Sequence, residues 1–211
     1  MDELSKEYVV SFFDRSLRLH GDRPEAVRWT RQGQVNHYRC LLDMGDISGM
    51  KILDFGCGKG DLYRFLKDRG ESVDYTGFDI NGSLVALARE KSPEARFEVF
   101  DIDRDRLEED FDCIFLCGVF NLEVQGVEDE IRSTLRRLFS RCRVCLAYNG
   151  LSAHNPRRDF ELHYSLPGEL LTFAIQELSP YVSLRHDRMG YDFTLFVYRN
   201  VNSMPGIEPC L

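Results

Sequence analysis

The chain has 211 residues, of which 43% are hydrophobic and 29% are charged. This composition can bury a core, so it excludes wholesale disorder and fibrous classes, and the length predicts a single domain over residues 1–211. The net charge is -8, which disfavours nucleic acid as a partner because a phosphate backbone would be repelled. There is no signal peptide, no apolar run long enough to span a membrane, and the cysteines lie mostly in apolar runs. We therefore predict a cytoplasmic protein with reduced thiols and no membrane partner.

Three segments are predicted from the change of pattern along the chain. They are a helical extension over residues 1–46 that caps the core, a core over residues 47–199 and a tail over residues 200–211. Helices are predicted over residues 3–20 and 31–44 of the extension. The apolar residues of the first helix fall on roughly one side: Leu4, Tyr8, Phe12 and Phe13.

The core alternates between short β-rich runs and helical runs. Strands are predicted over residues 51–55, 73–78, 96–100, 111–117, 142–148, 181–187 and 193–199, and helices over 60–69, 82–91, 126–139 and 167–178. Alternation of this kind predicts a doubly wound sheet with right-handed crossovers. The last two strands are too close in sequence for a crossover helix, so they form an antiparallel hairpin. The predicted fold class is α/β with a seven-stranded, mostly parallel sheet.

A glycine-rich turn follows the first predicted strand. Its residues are Asp54 at the strand end, then Gly56, Cys57, Gly58 and Gly60 before a helix. Glycines at alternate positions permit a tight turn that lets a ligand approach the backbone at a helix N-terminus. A dinucleotide-binding loop would have glycine at position 61, where this chain has Asp61, and pyrophosphate is disfavoured beside Asp54. The turn therefore favours a cationic or zwitterionic ligand.

Polar or small residues also follow the next three predicted strands. They are Asp79 with Ile80, Asp101 with Ile102, and Cys117 with Gly118. Parallel strands end at the same edge of a sheet, so we expect these residues to face one ligand. Asp79 can accept both hydroxyl groups of a ribose, and Asp101 can accept a hydrogen bond from the exocyclic amine of an adenine beside Ile102.

Taken together, these strand-end motifs resemble the class I S-adenosylmethionine-dependent methyltransferases over about residues 50–199. The resemblance implies that Asp54 and the glycine turn hold the methionine part of S-adenosylmethionine, with Asp79 on the ribose. It places Asp101 and Ile102 on the adenine, and Cys117 with Gly118 on the far side. It also implies direct in-line methyl transfer without a metal, with S-adenosylhomocysteine as the product.

The sequence indicates less about the methyl acceptor than about the cofactor. The fourth strand lacks both the Asn/Asp-Pro-Pro-Tyr box of amino-methylating nucleic-acid enzymes and the Pro-Cys pair of cytosine-carbon methyltransferases, so we expect an O or N atom of a small molecule. A hydroxyl or protonated amine would need a general base. The candidates are Tyr148, His154, His163 and His186. The first three belong to the long segment 148–164, which we expect to shape the acceptor pocket with the N-terminal helices.

Two residues of the extension are further candidates. Trp29 and Gln34 can close the pocket at the methionine end, although core packing by Trp29 is an equal alternative. No histidine spacing indicates a metal site. Two other functions remain open from the residues, an NAD-dependent oxidoreductase and a regulatory protein that binds S-adenosylmethionine without catalysis, and the oligomeric state is not predicted.

Overall fold

The computed structural model describes residues 1–205, and residues 206–211 of the predicted tail lie outside the described residues. The helices are α1 (Glu3–His20), α2 (Arg31–Leu41), α3 (Asp61–Asp68), α4 (Gly82–Lys91), α5 (Val127–Phe139) and α6 (Pro167–Glu177). The strands are β1 (Lys51–Phe55), β2 (Asp74–Asp79), β3 (Arg96–Val99), β4 (Phe111–Cys117), β5 (Cys142–Leu151), β6 (Val182–Arg185) and β7 (Asp192–Tyr198). Short 3-10 turns cover Pro24–Val27, Leu42–Met44 and Val201–Ser203.

All seven strands form one sheet in the order β3-β2-β1-β4-β5-β7-β6. The pairs among β1 to β5 are parallel, whereas β7 is antiparallel to both β5 and β6. The predicted fold class, including the terminal hairpin, is confirmed. The strand order reverses between β1 and β4, and in open α/β sheets ligands bind outside the carboxyl ends of the strands at such a reversal.

Helices cover both faces of the sheet. Ile131 and Leu135 of α5 and Phe173 of α6 are buried against one face. Leu41 of α2 and Leu66 of α3 are buried against the other. Each such side chain contributes about 1.5–3 kcal/mol to folding when it leaves water. With both faces covered, the carboxyl edge is the open approach to the strand ends.

The apolar side of α1 is only partly buried. Leu4 is 79% exposed and Tyr8 is 45% exposed, whereas Phe12 and Phe13 are half-buried. Ser5, Lys6 and Ser16 are buried. Polar contacts therefore take a large part in docking the helix, and Leu4 and Tyr8 face solvent.

The polar contacts of α1 reach the ends of β2 and β3. The amide of Asn81, which caps α4, donates to the carbonyl of Val10 at 3.1 Å and to the carboxylate of Asp14 at 3.0 Å. The ammonium group of Lys6 reaches the carboxylate of Asp101. Buried polar groups need partners, and these partners lie only beside the sheet edge, which determines the orientation of the helix.

Two boundaries differ from the predicted elements in ways that affect the site. β5 continues to Leu151, three residues beyond the predicted strand end at residue 148, so the segment that follows it begins at residue 152. An extra 3-10 turn over Pro24–Val27 connects the two N-terminal helices, and Pro24 suits its first position because proline has no amide hydrogen to leave unpaired. No helix within residues 1–205 is long and apolar enough to cross a membrane. The division of the chain at residue 46 stays a prediction.

Candidate functional site

A cavity lies at the carboxyl edge of the sheet, between the strand ends and the N-terminal extension. The volume that water-sized molecules can occupy in it is about 150 Å³. The predicted cofactor residues that line it are Trp29, Gln34, Asp54, Gly56, Cys57, Gly58, Asp79, Ile80, Asp101, Ile102, Cys117 and Gly118. Gly60 is the exception. A Cβ atom there would lie 2.9 Å from the Phe97 ring, so Gly60 allows close packing behind the turn.

The glycine turn adopts a conformation that other residues rarely reach. The φ angles of Gly56, Gly58 and Gly60 are 79°, 53° and 75°. A Cβ atom at Gly56 would also lie 1.9 Å from Cγ2 of Val119, which follows β4. Glycine is therefore required at position 56 for both its backbone angle and the close approach of the neighbouring strand end.

The Asp79 carboxylate joins two elements of the cavity. Its Oδ2 accepts a hydrogen bond from the Gly58 amide, and its Oδ1 accepts one from the Asn81 amide, both at 2.8 Å. Burial raises the pKa of Asp79, and these two backbone hydrogen bonds act in the opposite direction. Each oxygen keeps a further lone-pair position, which suits the predicted contact with two ribose hydroxyls.

Asp54 lies deeper than Asp79 and is 2% exposed. The hydroxyl of Tyr75 donates to its Oδ2 at 2.5 Å. Burial raises the pKa of Asp54 to about 7, and the nearby charges of Asp79 and Asp61 add to the shift while the Tyr75 hydrogen bond opposes it. A positive charge brought into the cavity would stabilise the ionised form.

Gln34 acts on the glycine turn through Asp61. Its side-chain amide donates to Asp61 Oδ2 at 2.9 Å. The same carboxylate accepts from Lys59 at 2.5 Å and from Lys91 at 2.9 Å. This buried network ties α2 to the first turn of α3, so the extension and the turn form one connected wall.

Trp29 is half-buried and lies directly over the end of β4. A Cβ atom at Gly118 would lie 2.7 Å from Cζ2 of the indole. On its other side the indole packs against the His37 ring, with 4.1 Å between the ring centroids. The geometry therefore places Trp29 both in the cavity wall and against a neighbouring side chain.

Lys6 is a cavity residue that the sequence reasoning missed. Its Nζ lies 2.9 and 2.8 Å from the two carboxylate oxygens of Asp101 and 3.0 Å from Asp103 Oδ2. Lys6 itself is 6% exposed. The Asp101 carboxylate therefore holds α1, in competition with the predicted contact to an adenine amine.

A pattern in the sequence could have revealed this side of α1. Lys6, Val9 and Phe13 all line the cavity and follow each other at three- and four-residue spacing, which is one face of a helix. A search for apolar residues alone selects the side with Leu4 and Tyr8 and misses this one.

The four candidate bases do not lie together, and none is among the described residues that line the cavity. Tyr148 is 1% exposed and packs edge-on against the rings of Phe120 and Phe193 in the core. Burial raises the pKa of Tyr148 well above its usual range. A phenol in this position cannot take a proton from an acceptor in the cavity, because it belongs to the packed face of β5.

His163 is held between two carboxylates. Nδ1 lies 2.9 Å from Glu123 Oε2, and Nε2 lies 2.9 Å from Glu128 Oε1. Burial acts to lower the pKa of His163, but the hydrogen bonds to Glu128 and Glu123 outweigh it and raise that pKa. The ring of His163 links the segments after β4 and β5, and carboxylates already engage both of its nitrogens, so it is poorly placed to serve an acceptor in the cavity.

His154 and His186 lie near each other, with 6.2 Å between ring centroids. Nε2 of His186 lies 2.8 Å from the Ser152 hydroxyl. His154 is exposed and borders a shallow groove formed largely by α6. Ser152 and Ser165 form an isolated bridge within the segment after β5, and Leu162 forms another with Leu122, which follows β4.

The charged side chains of the cavity are mostly acidic. Within the described residues, the carboxylates are Asp54, Asp61, Asp79, Asp101, Asp103 and Glu130, and the lysines are Lys6 and Lys59. Both lysines are already paired with carboxylates. The remaining negative potential favours a ligand that carries positive charge.

Comparison with known proteins agrees with this chemistry. A family model described as "Methyltransferase domain" matches residues 52–144. A protein of Mycobacterium tuberculosis named "Putative methyltransferase Rv1506c" is 31% identical over 153 residues, which cover 69% of this chain and 91% of that protein. The chain belongs to the class I S-adenosylmethionine-dependent methyltransferases. A partial relative is the malonyl-[acyl-carrier protein] O-methyltransferase of Acetivibrio thermocellus, 32% identical over 119 residues, or 56% of this chain and 41% of that enzyme.

Solved structures of methyltransferases share the fold of this methyltransferase. Magnesium protoporphyrin IX methyltransferase from Synechocystis with bound SAH has a TM-score of 0.67 at 17% identity, covering 92% of this chain and 100% of that one. The DhpI-SAH complex has a TM-score of 0.69 at 15% identity, covering 93% and 97% of the two chains. Family membership removes the oxidoreductase alternative.

S-adenosylmethionine is the cofactor, and the cavity of this methyltransferase fits it. The acidic lining suits the sulfonium and ammonium charges. The free lone pairs of Asp79 suit a ribose, and the glycine turn exposes backbone at the first turn of α3. Together, these features are formed by residues at neighbouring strand ends.

The first prediction concerns the steric requirement at Gly56. Gly56→Ala is expected to lower stability and weaken S-adenosylhomocysteine binding, because the new Cβ would displace Val119. Gly70→Ala is the matched control, since Gly70 has a φ of 76° but nothing within 4 Å of a Cβ atom. Both variants carry the backbone cost of about 1–2 kcal/mol, so only Gly56→Ala should lose more. Equal losses in urea unfolding and calorimetry would contradict the steric explanation.

The second prediction concerns Lys6 and Asp101. Lys6→Gln and Asp101→Asn should each weaken S-adenosylhomocysteine binding about tenfold, because either change removes the ion pair between Lys6 and Asp101 and loosens α1. The double variant should bind no worse than either single variant. Lys67→Gln is the control, since Lys67 is 60% exposed in its pair with Glu94. Additive losses in calorimetric titrations would show that Asp101 contacts the cofactor independently of Lys6.

The third prediction is a pH dependence at His163. Since its folded-state pKa is raised above the ordinary 6.5, its contribution to stability is complete below that pH and is lost as pH rises through the folded-state pKa. Relative to His163→Gln, the wild type should be more stable by about 1–2 kcal/mol at acidic pH, with the advantage shrinking above neutrality. His154→Gln, at an exposed position, is the control. A pH-independent difference in the free energy of unfolding would refute the ion-pair assignment.

Proposed function

We propose that this methyltransferase transfers a methyl group directly, without a metal, to an O or N atom of a small-molecule acceptor. The observation that carries the proposal is the closure of the extension over the methionine end of the cavity. Trp29 covers Gly118, and Cγ1 of Val27 would lie 3.5 Å from a Cβ atom at Gly58. An acceptor must fit between these side chains, which favours a small molecule over a polymer.

The protein contributes to the reaction by positioning the cofactor and the acceptor. When bound, S-adenosylmethionine supplies an electrophilic methyl carbon on its sulfonium. Asp79 and the glycine turn orient the cofactor on one side of the cavity, while Val27 and Trp29 exclude water from the other side. Orientation of this kind can lower a barrier by about 7–11 kcal/mol.

The surroundings of the cavity support an acceptor atom that needs no general base. The four predicted bases lie elsewhere, and Lys6 and Lys59 are held by carboxylates. An acceptor that is nucleophilic without losing a proton, such as a carboxylate or an uncharged amine, needs none of these bases, whereas an alcohol would. The partial relative from Acetivibrio thermocellus is named an O-methyltransferase, which supports oxygen.

The acidic net charge continues to disfavour nucleic acid as the acceptor, and a cytoplasmic location stays a prediction. The regulatory alternative would keep cofactor binding without turnover. It shares the cofactor cavity, so only the presence of an acceptor reaction distinguishes it from the enzyme.

The fourth prediction is release of S-adenosylhomocysteine from S-adenosylmethionine with a mixture of small carboxylic acids or amines. The enzyme should show no comparable release with RNA or with unfolded protein. Asp79→Ala should abolish release because it removes the acceptor of the Gly58 and Asn81 amides. Release only with a polymer would disprove the small-molecule proposal. Tight S-adenosylhomocysteine binding without release in any mixture would favour the regulatory alternative.

A further inference from the structure

Arg28 has an unusual backbone conformation beside the methionine end of the cavity. Its φ is 62°, the single positive value among the described residues other than glycine. Its two neighbours in sequence, Val27 and Trp29, both line the cavity. A left-handed arginine costs about 1–2 kcal/mol relative to glycine, and strain of this kind is concentrated at ligand clamps and active sites.

The Arg28 guanidinium spans from the extension to the segment after β5. Nη1 lies 3.1 Å from Glu161 Oε2, and Nη2 lies 3.1 Å from Asp159 Oδ2. Each nitrogen therefore meets a different carboxylate. The side chain of Asp159 is 41% exposed and that of Glu161 is 37% exposed. Solvated pairs of this type contribute only about 0.2–1 kcal/mol each. One carboxylate that bonds both nitrogens in parallel is a stronger partner for a guanidinium.

The Arg28 guanidinium lies beside one aromatic ring. Its Cζ lies 5.5 Å from the centroid of the Phe12 ring. Trp29 follows Arg28 directly in the chain and forms part of the cavity wall. A cation beside an aromatic ring, next in sequence to an apolar wall, matches a ligand with an apolar body and an anionic group.

We propose that Arg28 recognises the carboxylate of an apolar acceptor, which takes the place of Asp159 and Glu161 on the guanidinium. This assignment rests on the proposed function, since it concerns the acceptor of the same cavity. A carboxylate bonded to both nitrogens keeps two lone-pair positions free, so recognition leaves an oxygen available for methyl transfer. Arg28 is a specificity residue here and moves no proton.

The test compares three probes that share one apolar body: phenylpropionate, phenylpropanol and phenylpropylamine. Binding to the full chain is measured by calorimetry or ligand-observed NMR at saturating S-adenosylhomocysteine. The wild type should bind the carboxylate about tenfold more tightly than the alcohol, as expected for a charge-assisted pair, and should bind the amine least well. Arg28→Gln should remove this preference.

Arg28→Gly separates recognition from folding. Glycine adopts the same backbone angle without strain, so this variant should be at least as stable as the wild type and still lack the preference. Arg143→Gln is the control. Arg143 is 60% exposed, pairs with Asp110 at 3.5 Å, and lies near the start of β5, away from the carboxyl edge.

Two results would overturn the assignment. One is a wild type that binds the carboxylate no more tightly than the alcohol, including no binding of any probe. The other is a carboxylate preference that survives in Arg28→Gly. Neither result bears on the small-molecule proposal, which is tested separately by S-adenosylhomocysteine release with the acceptor mixtures.

Discussion

The carboxylate of Asp79 is the interaction on which the cofactor edge depends. It accepts hydrogen bonds from the amides of Gly58 and Asn81, and thereby joins the glycine turn after β1 to the start of α4 after β2. Asn81 in turn holds α1 through the carbonyl of Val10. A single buried acid thus links two strand ends to the N-terminal extension, while its remaining lone pairs face the cavity.

Charged and hydrogen-bonded contacts attach the extension at defined points, beside the apolar burial of residues such as Leu41 and Met44. Lys6 reaches Asp101, and Gln34 reaches Asp61. Polar attachment is directional, because each buried partner must be met in one geometry. Apolar side chains such as Leu4 and Tyr8 consequently remain on the outside of α1, and the same helix can form a cavity wall with its Lys6 side.

The residues predicted to bind the cofactor could be selected from the sequence because polar or small residues follow each of the first four strands. Alternating strands and helices determine that the carboxyl ends of β1 to β4 share one edge, so residues as distant as Asp54 and Asp101 can be assigned to one ligand. The candidate bases had no such constraint. They were chosen from a long segment after β5, and the direction of that segment depends on the Ser152 to Ser165 bridge and on contacts of His163 that no local pattern encodes.

The sequence by itself determined the α/β class, the terminal hairpin, the glycine turn and the acidic strand ends, because these follow from local periodicity and from the backbone freedom of residues such as Gly56. Only the tertiary structure decided which side of α1 is buried, that Lys6 occupies the Asp101 carboxylate, and that Arg28 stands between the extension and the segment after β5. These pairings join residues about 95 to 133 positions apart. Their partners are selected by the packing of the whole chain, since a charged side chain can meet any opposite charge that the fold brings within reach.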